Sequence, residues 1–367
     1  MNQLTIKLKK TIDQSYPIII GEGLFSNLPK HLRNLGNFGS FVIITDDFVG
    51  KLYGRRILRM LKKEKGRSFL LTFPAGEKSK TQRTKSALEE QMIKKGCGRD
   101  TLIIALGGGV VGDLAGFIAA TYMRGIPYIQ IPTTLLAMVD SSLGGKTGID
   151  TPLGKNLIGA FWQPKKVLID LDFLKQLPAK QIINGYYEVV KMAITSSKDL
   201  FVYAEQNLEA VKKADIKVLQ RLIIGGIKIK AQAVESDEKE SNGRMVLNFG
   251  HTIGHALEKL SAFKLTHGQA VALGLIIEAK VSVLEGLLTT EEFTRIQALL
   301  LKSGVDQSLI RKWKPNQIIS AAKTDKKNIN GKLKIVLVEG IGKLHRRNGF
   351  AASAISDKIV KKSLNSI

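Results

Sequence analysis

The stretch Thr101-Leu-Ile-Ile-Ala-Leu106-Gly107-Gly108-Gly109-Val110-Val111-Gly112-Asp113 decides the fold. Its uncharged, largely aliphatic opening reads as a buried strand, the glycine run as a tight turn, and the apolar pattern beyond as a helix. Gly107, Gly109 and Gly112 take the G-x-G-x-x-G spacing. Glycines there let backbone N–H groups approach a pyrophosphate, and the helix N-terminus adds a favourable dipole. Phosphate binding is therefore expected at this turn. No acidic residue closes the next strand, and the motif lies far from the N-terminus, so an ordinary Rossmann dehydrogenase fits poorly. Asp46 and Asp47, closing the run 41–45, are candidates for a ribose hydroxyl, with an ordinary turn as the equal alternative.

Around this unit, short β-rich runs at 4–8, 17–20, 41–45, 69–73, 128–131 and 167–170 alternate with helical patterns such as 84–95, which stops at Gly96. Such alternation predicts a mostly parallel sheet with helices on both faces, a Rossmann-like α/β domain. After Pro178 helical patterns follow one another, at 180–196, 199–213, 215–238, 250–262, 267–286 and 290–303, and only 333–338 reads as strand. A chain of 367 residues suits two domains. The expected division is 1–178, an α/β nucleotide-binding domain, and 179–367, a mainly helical one.

Composition narrows the class. Cys97 is the single cysteine, so an intrachain disulfide and a cysteine-built metal site are excluded. The opening MNQLTIKLKK lacks the apolar core of a signal peptide, and the most apolar window, 101–120, carries five glycines and Asp113, poor material for a membrane span. The expectation is a soluble cytoplasmic protein. The net charge of +24 raises nucleic acid as a partner. The basic residues are spread along the whole chain, however, and aromatics are only 6%, too few for a stacking platform. A solvated lysine-rich surface and an anionic small substrate are the expectation, with no nucleic acid.

A second glycine segment, Asp140-Ser-Ser-Leu-Gly144-Gly145-Lys146-Thr147-Gly148, looks like a P-loop but has Asp140 where the first glycine is required. Lys146, Lys155 and Asn156 remain anion contacts in what reads as a flexible glycine-rich loop. Three of the five histidines cluster: His251 and His255, four apart on one helix face, and His267 opening the next helical pattern. Imidazoles so spaced suit zinc or a similar divalent ion with one coordination position open. Which three groups bind is open at this point. A carboxylate is needed, and Glu188 is one of several options.

Taken together, the segments 107–116, Tyr122-Met-Arg124-Gly, Pro132-Thr-Thr-Leu-Leu136, 139–147, Leu153-Gly-Lys-Asn156, Glu188-Val-Val-Lys191, Arg244, Asn248–His255 and His267-Gly resemble the 3-dehydroquinate synthase family. The resemblance runs in order over most of the chain. It implies an active site in the cleft between the two domains, and zinc (or cobalt) held by Glu188, His251 and His267. His255 then faces substrate and is not a ligand. For NAD the resemblance implies Asp46, Glu77, Lys80 and Gly108, then Asp113, Thr133, Thr134 and Asp140, with Lys155 beside them. For substrate it implies Arg124, Lys146, Asn156, Lys191 and Lys230, then Arg244, Asn248 and Lys327. The residue at Arg124 serves the neighbouring subunit's site, which implies a homodimer.

The implied reaction is the second step of the shikimate pathway. It converts 3-deoxy-D-arabino-heptulosonate 7-phosphate to 3-dehydroquinate and phosphate, a carbon–oxygen lyase reaction. Transient oxidation at C5 by NAD acidifies the neighbouring C–H, phosphate leaves by β-elimination, the hydride returns, and ring opening precedes an intramolecular aldol closure. His255, Lys146, Arg244 and Asn248 are the residues expected to act on the reacting atoms. Alternatives are another sugar phosphate cyclase, such as a 2-deoxy-scyllo-inosose synthase, or a metal-dependent polyol dehydrogenase. Tyr187 stands where a small residue is usual and is expected to crowd the metal or alter its packing, and Gln269 replaces a common glutamate.

Overall fold

The computed structural model describes residues 13–239, 243–323, 333–347 and 350–367, the side chains of 243–245 excepted. Among the described residues the first half carries strands β1 (Ile18–Gly21), β2 (Ser40–Asp46), β3 (Arg67–Phe73), β4 (Thr101–Gly107), β5 (Tyr128–Pro132), β6 (Lys146–Thr151), β7 (Gly154–Phe161) and β8 (Val167–Asp170). Six of them form one sheet in the order β1-β8-β5-β4-β2-β3, with every pairing parallel. The expected parallel sheet is present, and each expected strand within the described residues falls within a residue or two of its predicted place. The run 4–8 lies outside the described residues.

Period-two alternation sorts the side chains. Val42, Ile44, Ile103 and Ala105 pack under Leu114 and Ile118 of the helix Gly109–Thr121. Phe41, Ile43, Leu102 and Ile104 face the other way, into a core that continues through Leu135 and Met138 to Ile182, Tyr186, Ile253 and Leu275. Every residue of β4 is buried, as a central strand covered on both faces requires.

Beyond β8 the chain turns helical. Pro178 precedes the helix Ala179–Ser196, followed by Ile216–Ser236, His251–Leu260, His267–Leu284 and Thr290–Lys302. The helix His267–Leu284 is long and apolar enough to cross a membrane by length and composition, yet 72% of that window is buried inside the fold, so it is a core helix.

Three expectations need correction. The pattern 199–213 is two helices, Lys198–Gln206 and Leu208–Lys212, broken at Asn207. The last part holds the short strands Leu333–Val336, Val338–Gly340, Lys343–Leu344 and Ala352–Ile355 instead of one, each too brief to show a period. The glycine-rich segment around Lys146 is not a loop, because β6 and β7 form an antiparallel hairpin. Gly148 pairs with Gly159, and a Cβ on Gly159 would come within 2.0 Å of the Thr147 carbonyl oxygen. The glycines there serve close strand approach.

Candidate active site

Asp46 ends β2, Glu77 follows β3, Gly108 follows β4, and Thr133 and Thr134 follow β5. All five thus gather at the carboxyl edge of the sheet, where open parallel sheets bind ligands. Gly108 is the residue before the helix Gly109–Thr121 and offers no side-chain cap, which leaves the positive end of that helix to an incoming anion. A Cβ on Gly112 would lie 2.5 Å from Gln130 Oε1, so this glycine lets the helix sit tightly on β5. The two aspartates do have turn roles: Asp46 Oδ1 accepts from the Val49 N–H at 2.8 Å, and Asp47 Oδ1 from Ala75 at 2.9 Å. Burial raises the Asp46 pKa in spite of its backbone hydrogen bonds.

Lys80, only 3% exposed, donates to Asp113 Oδ2 and to Asn156 Oδ1, both at 2.5 Å. Burial alone would lower its pKa, but the carboxylates of Asp113 and Glu77 more than offset this and raise it. Asn156 adopts a left-handed φ of 54° and donates its N–H to Asp150 at 2.9 Å, which fixes it at the start of β7 beside Lys155. Lys230 lies buried and donates to Asp140 through both the backbone oxygen and Oδ1, each at 2.5 Å. Burial pushes the Asp140 pKa up, but Lys230 and Lys191 outweigh it and hold it at about 2.

The histidine centre is built by three helices. Glu188, on Ala179–Ser196, has a fully buried side chain whose Oε2 is ion-paired with Lys191. It meets only charge: Lys191 one turn on, His267 Nε2 at 3.4 Å and His251 Nε2 at 3.6 Å. One ligand atom each from Glu188, His251 and His267 lie within 4.8 Å of one another. His251 Nδ1 sits 3.2 Å from the Phe249 carbonyl, which assigns the proton to Nδ1 and turns Nε2 toward Glu188. Burial raises the Glu188 pKa, yet Lys191 and His267 together hold it at about 2. Burial lowers that of His267, yet contacts with Glu188 and Glu258 push it up to about 10. A buried carboxylate and two imidazoles that converge to within 4.8 Å fit a divalent zinc-type ion. His255 is separated from this trio: its ring neighbours His251 and His267, but its own ligand group is with Glu258 and His267.

The remaining expected residues divide. Lys191 and Asn248 are buried, Lys191 against Glu188. Lys146 opens β6 and is exposed. Arg124 is exposed in a turn where Met123, Arg124 and Gly125 all have positive φ, just before β5 begins. That is the amino edge of the sheet, opposite the crevice. Lys327 and the side chain of Arg244 lie outside the described residues.

Three residues were missed by sequence reasoning. Glu278, fully buried on the helix His267–Leu284, accepts the Gly250 N–H at 2.6 Å and the Ile253 N–H at 3.0 Å, and so pins the start of the histidine helix. Asn184 accepts the Gly268 N–H at 2.8 Å, tying His267 to the helix that carries Glu188. Glu258 lies seven residues after His251, a same-face spacing that the sequence did display. Tyr187 points away from the metal site, its hydroxyl 3.4 Å from the Ser303 carbonyl oxygen, so the expected crowding is absent. Gln269 completes a capping box with Thr266 at the start of the helix bearing His267.

Sequence models of two domains, 3-dehydroquinate synthase N-terminal and 3-dehydroquinate synthase C-terminal, match residues 70–184 and 185–328. A 3-dehydroquinate synthase of Thermodesulfovibrio yellowstonii is 40% identical over 366 residues, covering 100% of both chains. Among solved structures, a 2-deoxy-scyllo-inosose synthase complexed with carbaglucose-6-phosphate, NAD+ and Co2+ superposes with a TM-score of 0.88 at 29% identity over 96% of each chain. A 2-epi-5-epi-valiolone synthase from Streptomyces hygroscopicus, with NAD+ and Zn2+ bound, gives 0.87 at 25% identity over 99% of each. Matched from end to end, and folded as these cyclases are, the chain belongs to the 3-dehydroquinate synthase family.

Proposed function

We propose that this chain is a 3-dehydroquinate synthase, a carbon–oxygen lyase that releases phosphate from 3-deoxy-D-arabino-heptulosonate 7-phosphate. Its cleft lies between an α/β domain ending near Pro178 and the helical domain beyond. The observation that carries the reading is the convergence of the buried Glu188 carboxylate with two imidazoles, in a chain of this family. Zinc or cobalt held by Glu188, His251 and His267 supplies a Lewis acid for the substrate hydroxyls. NAD, along Asp46, Glu77, Lys80, Gly108, Asp113, Thr133, Thr134, Asp140 and Lys155, supplies reversible hydride acceptance.

The chain's own groups do the rest. The substrate carries up to about three negative charges, the phosphate second pKa being near 6. Lys146, Lys191, Lys230, Arg244 and Lys327 offset these, and Asn156 and Asn248 orient hydroxyls. Arginine gives a planar fork for an oxyanion, lysine a point charge. His255, beside the ligands but outside their set, moves protons at the reacting carbon, a task suited to an imidazole. The departing phosphate can itself take the neighbouring C–H proton. Arg124 stands at the amino end of β5, roughly 17 Å, one strand length, from its own crevice. This supports a homodimer in which it completes the second copy's site. Gly125 packs on Trp162, which sets the Arg124 turn against the end of β7, where Ile158 and Phe161 are exposed. The reading is of a cytoplasmic enzyme and needs neither membrane nor nucleic acid.

The test is release of inorganic phosphate from the heptulosonate by the purified chain with NAD+ and Zn2+. Release is expected without net NADH, is lost on chelation, and returns with zinc. No release at any metal loading overturns the assignment. Release from glucose 6-phosphate instead would transfer it to the 2-deoxy-scyllo-inosose synthase reading, which the similar fold favours.

A further inference from the structure

His267 stands between two carboxylates: its Nε2 is 3.4 Å from Glu188 Oε1 and its Nδ1 is 3.5 Å from Glu258 Oε2. An imidazole that gives one nitrogen to a metal carries its proton on the other, and a carboxylate facing that N–H fixes tautomer and ring plane. Glu258 is 5% exposed, and its other oxygen is already occupied. Oε1 accepts from Lys155 Nζ at 2.6 Å, and Lys155 belongs to β7, in the other half of the chain. The Lys155 ammonium also lies 4.5 Å from the centre of the Phe263 ring. Phe263 is presented by a turn in which Ala262 (φ 51°) and Phe263 (φ 59°) are both left-handed, a conformation that non-glycine residues hold only where their surroundings enforce it. Two residues of the helical half therefore clasp one ammonium from the sheet half.

We propose that Glu258 is a positioning residue for His267, and that Lys155 secures Glu258 from across the cleft, so that the metal centre is completed by the nucleotide-binding half. The inference rests on reading Glu188, His251 and His267 as that centre.

The experiment is titration of the metal-stripped full-length chain with Co2+, followed by visible ligand-field absorption. Glu258→Gln is expected to weaken cobalt binding about 10–100-fold and to shift the bands, with Glu258→Asp recovering part of the affinity. Lys155→Met is expected to change the Kd about threefold or more in the parent chain and less than about twofold in the Glu258→Gln chain, because it acts through Glu258. Parent-like affinity in folded Glu258→Gln overturns the proposal, as does an equal Lys155→Met effect in both backgrounds. Should Glu258→Gln fail to fold, parent-like affinity and bands in Glu258→Asp overturn it. His251→Ala separates the two readings. If that variant binds cobalt like the parent, the metal-centre reading fails. If it does not bind while Glu258→Gln binds normally, only the positioning role fails.

Discussion

Two carboxylates, Asp113 and Glu188, are each paired with a lysine but stand in different surroundings. Asp113, in the second turn of its helix, is answered by Lys80 at 2.5 Å, and Lys80 is in turn held by Asn156. Glu188 is more deeply buried and also meets a lysine, Lys191, but two imidazoles converge on it as well. A buried charge is costly unless it is paired, and in both places a lysine supplies the partner. Lys80 and Asp113 form a pair that the protein closes by itself. The Glu188 group adds two imidazoles to its lysine, and on the proposed reading the carboxylate and these two imidazoles take up a cation.

Substitutions sharpen that contrast. The largest effect is expected for His251→Ala: zinc content measured by atomic emission falls from about one per chain to near zero, and phosphate release falls by about 10³-fold or more. Full zinc content in this variant would erase the distinction between the two carboxylates. His255→Ala is expected to keep its zinc and slow turnover by about 10²-fold, as loss of a proton-transfer group does; equal metal loss in both histidine variants would show the ligand set to be misassigned. Lys80→Met leaves Asp113 without its ammonium and should cost about 3 kcal/mol in denaturant unfolding, with zinc content unchanged and with much of the loss restored by adding Asp113→Asn. The smallest effect concerns Asp140, whose folded pKa of about 2 lies below the ordinary value of about 3.9. The unfolded chain binds that proton more readily. The stabilisation is therefore complete above about pH 4 and is lost as pH falls toward 2. Asp140→Asn should thus lower the melting temperature by about 2–4 °C at pH 6 and by less at pH 3, and an equal drop at both would sever Asp140 from Lys230.

How much of this was legible depended on whether a feature is periodic or local. The unit Thr101–Thr121 could be read because strand, glycine turn and helix follow one another without a break. The hairpin of β6 and β7 could not, since Gly148 and Gly159 there mark strands pressed together and look like a loop on the page. The histidine face could be read from a spacing of four, but spacing alone does not tell His251 from His255. Only the approach of the helix bearing Glu188 separates them. Choice of the carboxylate came from the family resemblance, because Glu188 is distant in sequence and meets the histidines only through helix packing. Tyr187 looked intrusive because a residue's neighbour in sequence was taken for its neighbour in space. In a helix, adjacent side chains diverge by about 100°.

Glu278 has a consequence for how the ion arrives. By accepting two backbone N–H groups at the head of the helix His251–Leu260, it anchors that helix to a fully packed core element with no contribution from the ion. On the proposed reading, the ligand group is therefore expected to be in place before the ion arrives. Loading should then resemble the filling of a rigid chelator, quick and reversible, with hardly any change in far-ultraviolet circular dichroism between the stripped and the charged protein.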